Sequence, residues 1–172
     1  MRPTTTNDPE QVSAAPRTDV PVPRDHGAAL RVEGVVEHGD ERGRLLGFPT
    51  ANVAVPPHGL KDGVWAGTVR IAPGPDGTGG TTHVAAVSVG HRPTYYGKDG
   101  ERLLEANLLD FDGDLYGRGI RIDLHVRLRP QRRYEGSAEL VDQLRRDVED
   151  TRRWAVGAGL EHLLGDPGAR SR

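Results

Sequence analysis

The sequence predicts an all-β barrel, closed or nearly closed, with a single helix packed on it from the C-terminal side. Three observations carry this expectation. Apolar residues alternate with period two in several short segments between residues 30 and 130. The connections between those segments are rich in turn residues, and their spacings favour antiparallel neighbours, since a parallel pair would need a helical crossover between strands. A helical period appears only once, near the C-terminus.

Taken in order, "LRVEGVVEHG" carries Leu30, Val32 and the pair Val35 and Val36, a half-buried strand with a glycine irregularity. "GVWAGTVRIA" sets Val64, Ala66, Thr68 and Arg70 against Trp65, Gly67, Val69 and Ile71, and the second set belongs to the core. "THVAAVSVG" and "RLLEANLLDF" give two further strands. "GIRIDLHVRLRP" gives another, with Ile120, Ile122, Leu124, Val126 and Leu128 expected on one face and Pro130 as its end. "PPHG", "PGPDGTGG", "GHRPTYYGKDG" and "DFDGDLYGRG" are the turn signals between them. About five strands with such loops imply a barrel. In the terminal helical pattern Ser137 is the N-cap candidate, and Leu140, Val141, Leu144, Val148 and Trp154 form the apolar stripe.

Composition narrows the function classes. A chain of 172 residues suits one domain. With 23 basic against 25 acidic side chains, no bulk electrostatic grip on nucleic acid or an anionic membrane is expected. There is no cysteine, which removes disulfides, thiolate metal sites and thiol nucleophiles and fits a cytoplasmic protein. No apolar run approaches the roughly 18 residues of a membrane helix. Residues 1–27, rich in Pro, Thr and Asp, read as a disordered leader, residues 28–160 as the folded domain, and 161–172 as a flexible tail.

Neither G-x-x-x-x-G-K-[ST] nor a strand-to-helix G-x-G-x-x-G is present, so a nucleotide would be held in another way. "HGDERGRLLGFPTANV" offers Gly39 and Gly43 for close backbone approach, Arg42 and Arg44 as phosphate-reaching cations, and the pair Thr50 and Asn52. Hydroxyl and carboxamide oxygens are hard, uncharged donors that suit Mg²⁺. The competing reading is a strand-initiating turn in which both side chains satisfy local backbone groups. In "LLEANLLDFDGDLYG", Glu105 and Asn107 share one strand face and Leu104, Ala106 and Leu108 the other. Glu105 is either a solvated strand residue or an acid placed inward for a reason. Asp110, Asp112 and Asp114 read as a solvated hairpin, since the continuation of an EF-hand loop is missing. The seven histidines show no zinc spacing, and Ser88 lacks the turn of a nucleophile elbow.

Together, "GDERGRLLGFPTANV", "GVWAG", "AAVSVGHRPTYYG", "LEANLLDFDGDLYG" and "VRLRPQRRYEGSAELVDQLRRDV" resemble the riboflavin kinase (flavokinase) family, with the blocks in family order from about Leu30 to Ala155. The resemblance implies a six-stranded antiparallel Greek-key-type barrel with a C-terminal helix. It implies phosphorylation of riboflavin by ATP to give FMN and ADP, with Mg²⁺, or Mn²⁺ or Zn²⁺ in its place, in a monomeric protein. By the same resemblance Glu105 is the catalytic base, and Thr50 and Asn52 meet the metal and the phosphates. Gly39, Arg44 and Tyr116 fall at the nucleotide, and Arg129, Arg132 and Tyr134 at the flavin. Thr50, Asn52 and Glu105 are then expected to face inward. Asn107 stands where many members have His, and the "APGPDGTGGTT" loop is longer than usual. Residues 1–27 are too short for the adenylyltransferase module of the bifunctional members, so FAD synthesis is not expected. The alternatives are a non-catalytic flavin- or nucleotide-binding regulatory barrel and a kinase for a riboflavin analogue.

Overall fold

Six antiparallel strands build the wall of the barrel: β1 (Leu30–Val35), β2 (Ala51–Ala54), β3 (Gly63–Ile71), β4 (Thr82–His91), β5 (Arg102–Leu108) and β6 (Gly119–Arg129). A one-turn helix, α1 (Arg42–Leu45), precedes β2, and a long helix, α2 (Ser137–Gly157), follows β6. The coordinates come from a computed structural model that describes residues 30–39, 42–54, 59–74, 80–91 and 102–165. The expected leader, the middle of the glycine-rich loop and most of "GHRPTYYGKDG" lie outside the described residues.

The strand order is β1-β6-β3-β4-β5-β2. Strands β3, β4 and β5 form a meander and β6 returns beside β3, which is the 4-1-2-3 arrangement of a Greek key. Four of the expected strands appear with nearly the expected bounds, and the first, expected within residues 30–39, ends at Val35. The sixth is β2, whose four residues are too few to show a period. It makes the barrel nearly closed. Between β1 and β2 the seam holds, among the described residues, only the isolated bridge of Glu37 with Asn52. At that seam a Cβ on Gly34 would lie 2.4 Å from Val53 Cγ1, so the two strands approach only because residue 34 has no side chain. Gly34→Ala is expected to destabilise the protein by about 1–3 kcal/mol through overpacking. A thermal melt unchanged from wild type would contradict this tight closure.

Two apolar clusters result. Inside the barrel lie Val32, Val36, Val53, Trp65, Val69, Val87, Leu104, Ile122 and Leu124, as the strand alternation requires. Outside it, Ala66, Val84, Ala86 and Leu109 are covered by Trp154 and Ala155 of α2. The expectation of one continuous apolar face along β6 is corrected here. Register shifts between β3 and β6 fall at Val64/Trp65 and Ala66/Gly67. Such a bulge inserts an unpaired residue and reverses the parity of the side chains beyond it. Ile120, Ile122 and Leu124 therefore fill the barrel, whereas Val126 and Leu128 turn outward against the helix cluster.

Helix α2 begins one residue away from the expected cap. Gly136 is the N-cap, Ser137 is the first helical residue, and Glu139 accepts a bond from the Glu135 amide at 3.3 Å. At the far end Gly159 adopts φ +72°, the Leu160 amide donates to Ala155 O and the Gly159 amide to Val156 O. This is a Schellman stop. It folds the chain back, so that Leu160, Leu163 and Leu164 join the outer cluster around a 3₁₀ turn, Glu161–Leu163. Ordered packing thus continues past residue 160, where the tail was expected to begin.

Candidate active site

The segment "RGRLLGFPTANV" shapes the first half of the site. After α1 the Leu46 and Phe48 amides both donate to Gly43 O, and Gly47 turns the chain with φ +84°. Proline 49, with no amide hydrogen, then carries an extended link into β2, and its carbonyl accepts a bond from Asn107 Nδ2 at 2.8 Å. Asn107 therefore fixes the backbone just ahead of Thr50.

The two glycines expected to allow close approach do so against the proposed metal pair. A Cβ on Gly39 would come within 2.8 Å of three atoms of the Asn52 carboxamide, and one on Gly43 would meet Phe48 O at 2.5 Å and Thr50 Oγ1 at 3.6 Å. Asn52 is only 5% exposed. Its Nδ2 donates to Thr50 O at 3.4 Å, while its Oδ1 is buried with no hydrogen-bond partner among the described residues. A buried carbonyl-type oxygen without a donor carries a desolvation cost that a bound cation would remove.

Cross-strand register explains how the second half comes together. Asn52 of β2 lies opposite Glu105 of β5, Glu105 opposite Ser88 of β4, Ser88 opposite Val64 of β3, and Val64 opposite Arg129 of β6. Directly opposed residues of antiparallel strands share a face. This row therefore crosses five strands on one side of the wall. That side is the outside of the barrel, because the neighbours Val53 and Leu104 fill its interior. The expectation that Thr50, Asn52 and Glu105 point inward is accordingly corrected. Glu105 is exposed on the outer wall, where a carboxylate keeps its hydration, and the cleft that it faces is raised from α1, the β6–α2 connection and α2.

Two cavities flank the row. One, of about 530 Å³, is lined by Arg44, Thr50, Asn52, Phe111, Asp112 and Tyr116 among others. The other, of about 450 Å³, is lined by Thr50, Asn52, Glu105, Arg129, Arg132 and Tyr134, with Leu140, Leu144 and Val148 of α2 as an apolar wall. Both volumes fall in the range of small-molecule sites, roughly 300–1,000 Å³. Thr50 and Asn52 line both cavities. Arg44, Thr50, Asn52, Glu105, Tyr116, Arg129, Arg132 and Tyr134 each line at least one of them, while Gly39 lines neither and sits against Asn52.

Several contacts were not foreseen. His38 stacks on Tyr116 with ring centroids 3.7 Å apart, so the tyrosine at the first cavity is backed by an aromatic ring. Gln131 Nε2 donates to Ser88 Oγ at 2.8 Å and to Val89 O at 3.0 Å, which pins the connection after β6 to β4 beside Glu105. Arg129 gives Nε and Nη2 to the two carboxylate oxygens of Asp147 at 2.7 and 2.6 Å, and Gln143 adds a bond to the same carboxylate. The Arg129 and Asp147 side chains are 13% and 4% exposed. Burial would depress the guanidinium, yet its hydrogen bonds and charge interaction with Asp147 outweigh that and hold its pKa above the ordinary value. Most of the guanidinium fork is thus committed to the helix. Tyr134 has a buried hydroxyl without a partner among the described residues, and burial raises its pKa against the opposing charges of Arg129 and Arg132. A helical spacing of charged residues does not announce a buried acid, so Asp147 gave no signal in the sequence.

Two cavities of small-molecule size thus meet at a hydroxyl–carboxamide pair, with a carboxylate in the same row. The riboflavin kinase (flavokinase) family model matches residues 26–155, and the chain belongs to that family. A bifunctional riboflavin kinase/FMN adenylyltransferase of Bacillus subtilis is 35% identical over 135 residues, which cover 74% of this chain and 39% of the relative. The chain spans about two fifths of the length of such relatives. A Streptococcus pneumoniae structure described as a macrolide-efflux protein matches with TM-score 0.63 and 35% identity, covering 74% of this chain and 40% of that one. Riboflavin kinase from Trypanosoma brucei shares the fold with TM-score 0.57 at 22% identity, over 83% of this chain and 86% of its own. Among the described residues no helix is long and apolar enough to cross a membrane.

Proposed function

We propose that this chain transfers the γ-phosphoryl group of ATP to the ribityl 5′-hydroxyl of riboflavin, giving FMN and ADP. The observation that carries the reading is the position of Thr50 and Asn52 on the boundary of both cavities, with Glu105 opposite Asn52 in the row. The cavity at Arg44 and Tyr116 takes the nucleotide, and the cavity at Arg132 and Tyr134 takes the flavin. A phosphoryl group passing between the two must cross the Thr50–Asn52 boundary.

The donor set fits Mg²⁺, which prefers about six oxygens, several of them from water and phosphate. Thr50 Oγ1 and the orphaned Asn52 Oδ1 would hold it, and among the described residues no cluster of three His, Asp or Glu side chains offers a competing site. When bound, the cation supplies charge neutralisation at the transferring phosphoryl. The chain's own residues do the rest. Arg44 adds positive charge on the phosphate side of the first cavity, and Tyr116, braced by His38, forms its wall. Leu140, Leu144 and Val148 exclude water from one side of the flavin cavity, while the Tyr134 hydroxyl, without a partner among the described residues, bonds a polar edge of the ligand. Glu105 accepts the proton of the attacking hydroxyl and orients it toward the boundary. A cysteine-free composition supports placing this enzyme in the cytoplasm.

Thr50→Ala and Asn52→Ala are expected to weaken Mg·ATP binding by about tenfold or more, with riboflavin affinity changed far less, since each removes one oxygen of the metal set. Isothermal calorimetry with each ligand separately checks this. Equal losses for both ligands would contradict the metal role.

A further inference from the structure

The connection from β5 to β6 crosses the end of the barrel, as the fourth strand of a Greek key requires, and its residues Phe111 to Tyr116 line the first cavity. How this loop keeps its shape is visible at its two ends. At the far end the Gly117 amide donates to Val36 O and the Val36 amide to Arg118 O, both at 3.0 Å, so the backbone clamps it to the chain just beyond β1. At the near end the clamp is made by side chains. Asp110 adopts φ +57°, the one positive φ among the described non-glycine residues. Its carboxylate, 8% exposed, accepts Arg152 Nη2 at 2.5 Å and the Gly165 amide at 3.1 Å.

We infer that Asp110 and Arg152 form a latch that holds the β5–β6 connection in its nucleotide-binding shape, and that both are positioning residues for the phosphoryl transfer. The inference rests on the reading of the first cavity as the nucleotide site. Left-handed backbone is uncommon outside glycine, Asp and Asn accept it best, and a single such bend is held in place by the contacts around it. Here the carboxylate is tied at once to α2 and to the segment that the Schellman turn brings back. The bend at residue 110 then sets the direction in which Phe111 to Tyr116 leave the sheet. Arg152 itself is about one-third exposed, and the burial of α2 is carried by Trp154, Ala155 and Thr151. Removing its charge therefore loosens the loop and leaves the helix docked. Five residues earlier on the same helix, Asp147 holds Arg129 at the flavin cavity, so one helix braces both halves of the site.

The variants Arg152→Gln and Asp110→Asn test the latch, because glutamine keeps the helical stem and asparagine tolerates the left-handed backbone. In the ligand-free protein, amide hydrogen exchange at residues 111–117 is expected to speed up by about tenfold. Calorimetric affinity for Mg·ADP is expected to fall by about tenfold, because the ligand must now order the loop, with riboflavin affinity within about twofold of wild type. Arg152→Lys should restore part of both. Unchanged exchange and unchanged Mg·ADP affinity would overturn the latch, as would an equal loss for both ligands accompanied by a lower melting temperature, the mark of a merely structural pair. Wild-type protein that binds riboflavin but no nucleotide fails the functional reading itself, and the latch as a nucleotide-positioning device falls with it.

Discussion

Glu105→Gln is expected to lower kcat for FMN formation by ~10²–10⁴-fold, the usual contribution of a positioned general base. Folding and both binding steps should stay close to wild type. The size and selectivity of the effect follow from where the residue stands. Glu105 is on the outer wall, exposed, and outside both apolar clusters, so an isosteric amide disturbs no core packing. Its cross-strand neighbours Asn52 and Ser88 keep their positions through backbone pairing. What glutamine cannot do is take up the proton of the attacking hydroxyl. Steady-state kinetics, with the melting temperature and riboflavin affinity measured on the same preparation, check the claim. A kcat within about threefold of wild type would remove Glu105 from the mechanism, whatever else the site does.

Asp147→Ala should produce the largest loss of stability. Breaking a buried ion pair by deleting one partner typically costs about 3–5 kcal/mol, because the remaining charge is left desolvated and unpaired. Arg129 would then keep a buried guanidinium facing an empty space, with Gln143 also losing its acceptor. For a domain of this length each kcal/mol shifts the melting temperature by about 2–4 °C, so the drop should be plain in a thermal scan. The double replacement Arg129→Met with Asp147→Leu should recover much of it, since well-packed apolar residues often replace a buried pair at little cost. The pair also recasts Arg129. Its resemblance-based assignment was a flavin contact, yet the fork is bonded to Asp147, and its proposed part is to hold α2 against the flavin cavity. A single variant losing under about 1 kcal/mol, with a large loss of riboflavin affinity, would return Arg129 to the role of direct ligand.

The parts of the fold legible in the sequence are those where period two runs unbroken. Strands β3, β4 and β5 declare themselves through Val64 to Ile71, Val84 to Val89 and Leu103 to Leu108, and the helix through Leu140 to Trp154. Strand β2 escaped because four residues after a proline carry no usable alternation. The reversal of faces in β6 escaped because a bulge is set by pairing with β3, where Gly67 lets Asp123 O approach to 2.5 Å of a would-be Cβ. In the candidate site, Thr50, Asn52 and Glu105 were readable as donor types, but not their side of the wall. Alternation distinguishes two faces without saying which one meets a ligand. Ser88, Gln131 and Asp147 depended on contacts across 43 and 18 residues of chain, which no local pattern records.

One measurement bears most directly on the whole account. Purified protein is incubated with Mg·ATP and riboflavin, riboflavin analogues are run in parallel, and the products are separated and identified. The proposed function predicts FMN and ADP in equal amounts, dependent on the divalent cation and abolished by chelation. Tight riboflavin binding with no FMN, or phosphorylation of an analogue alone, would contradict it.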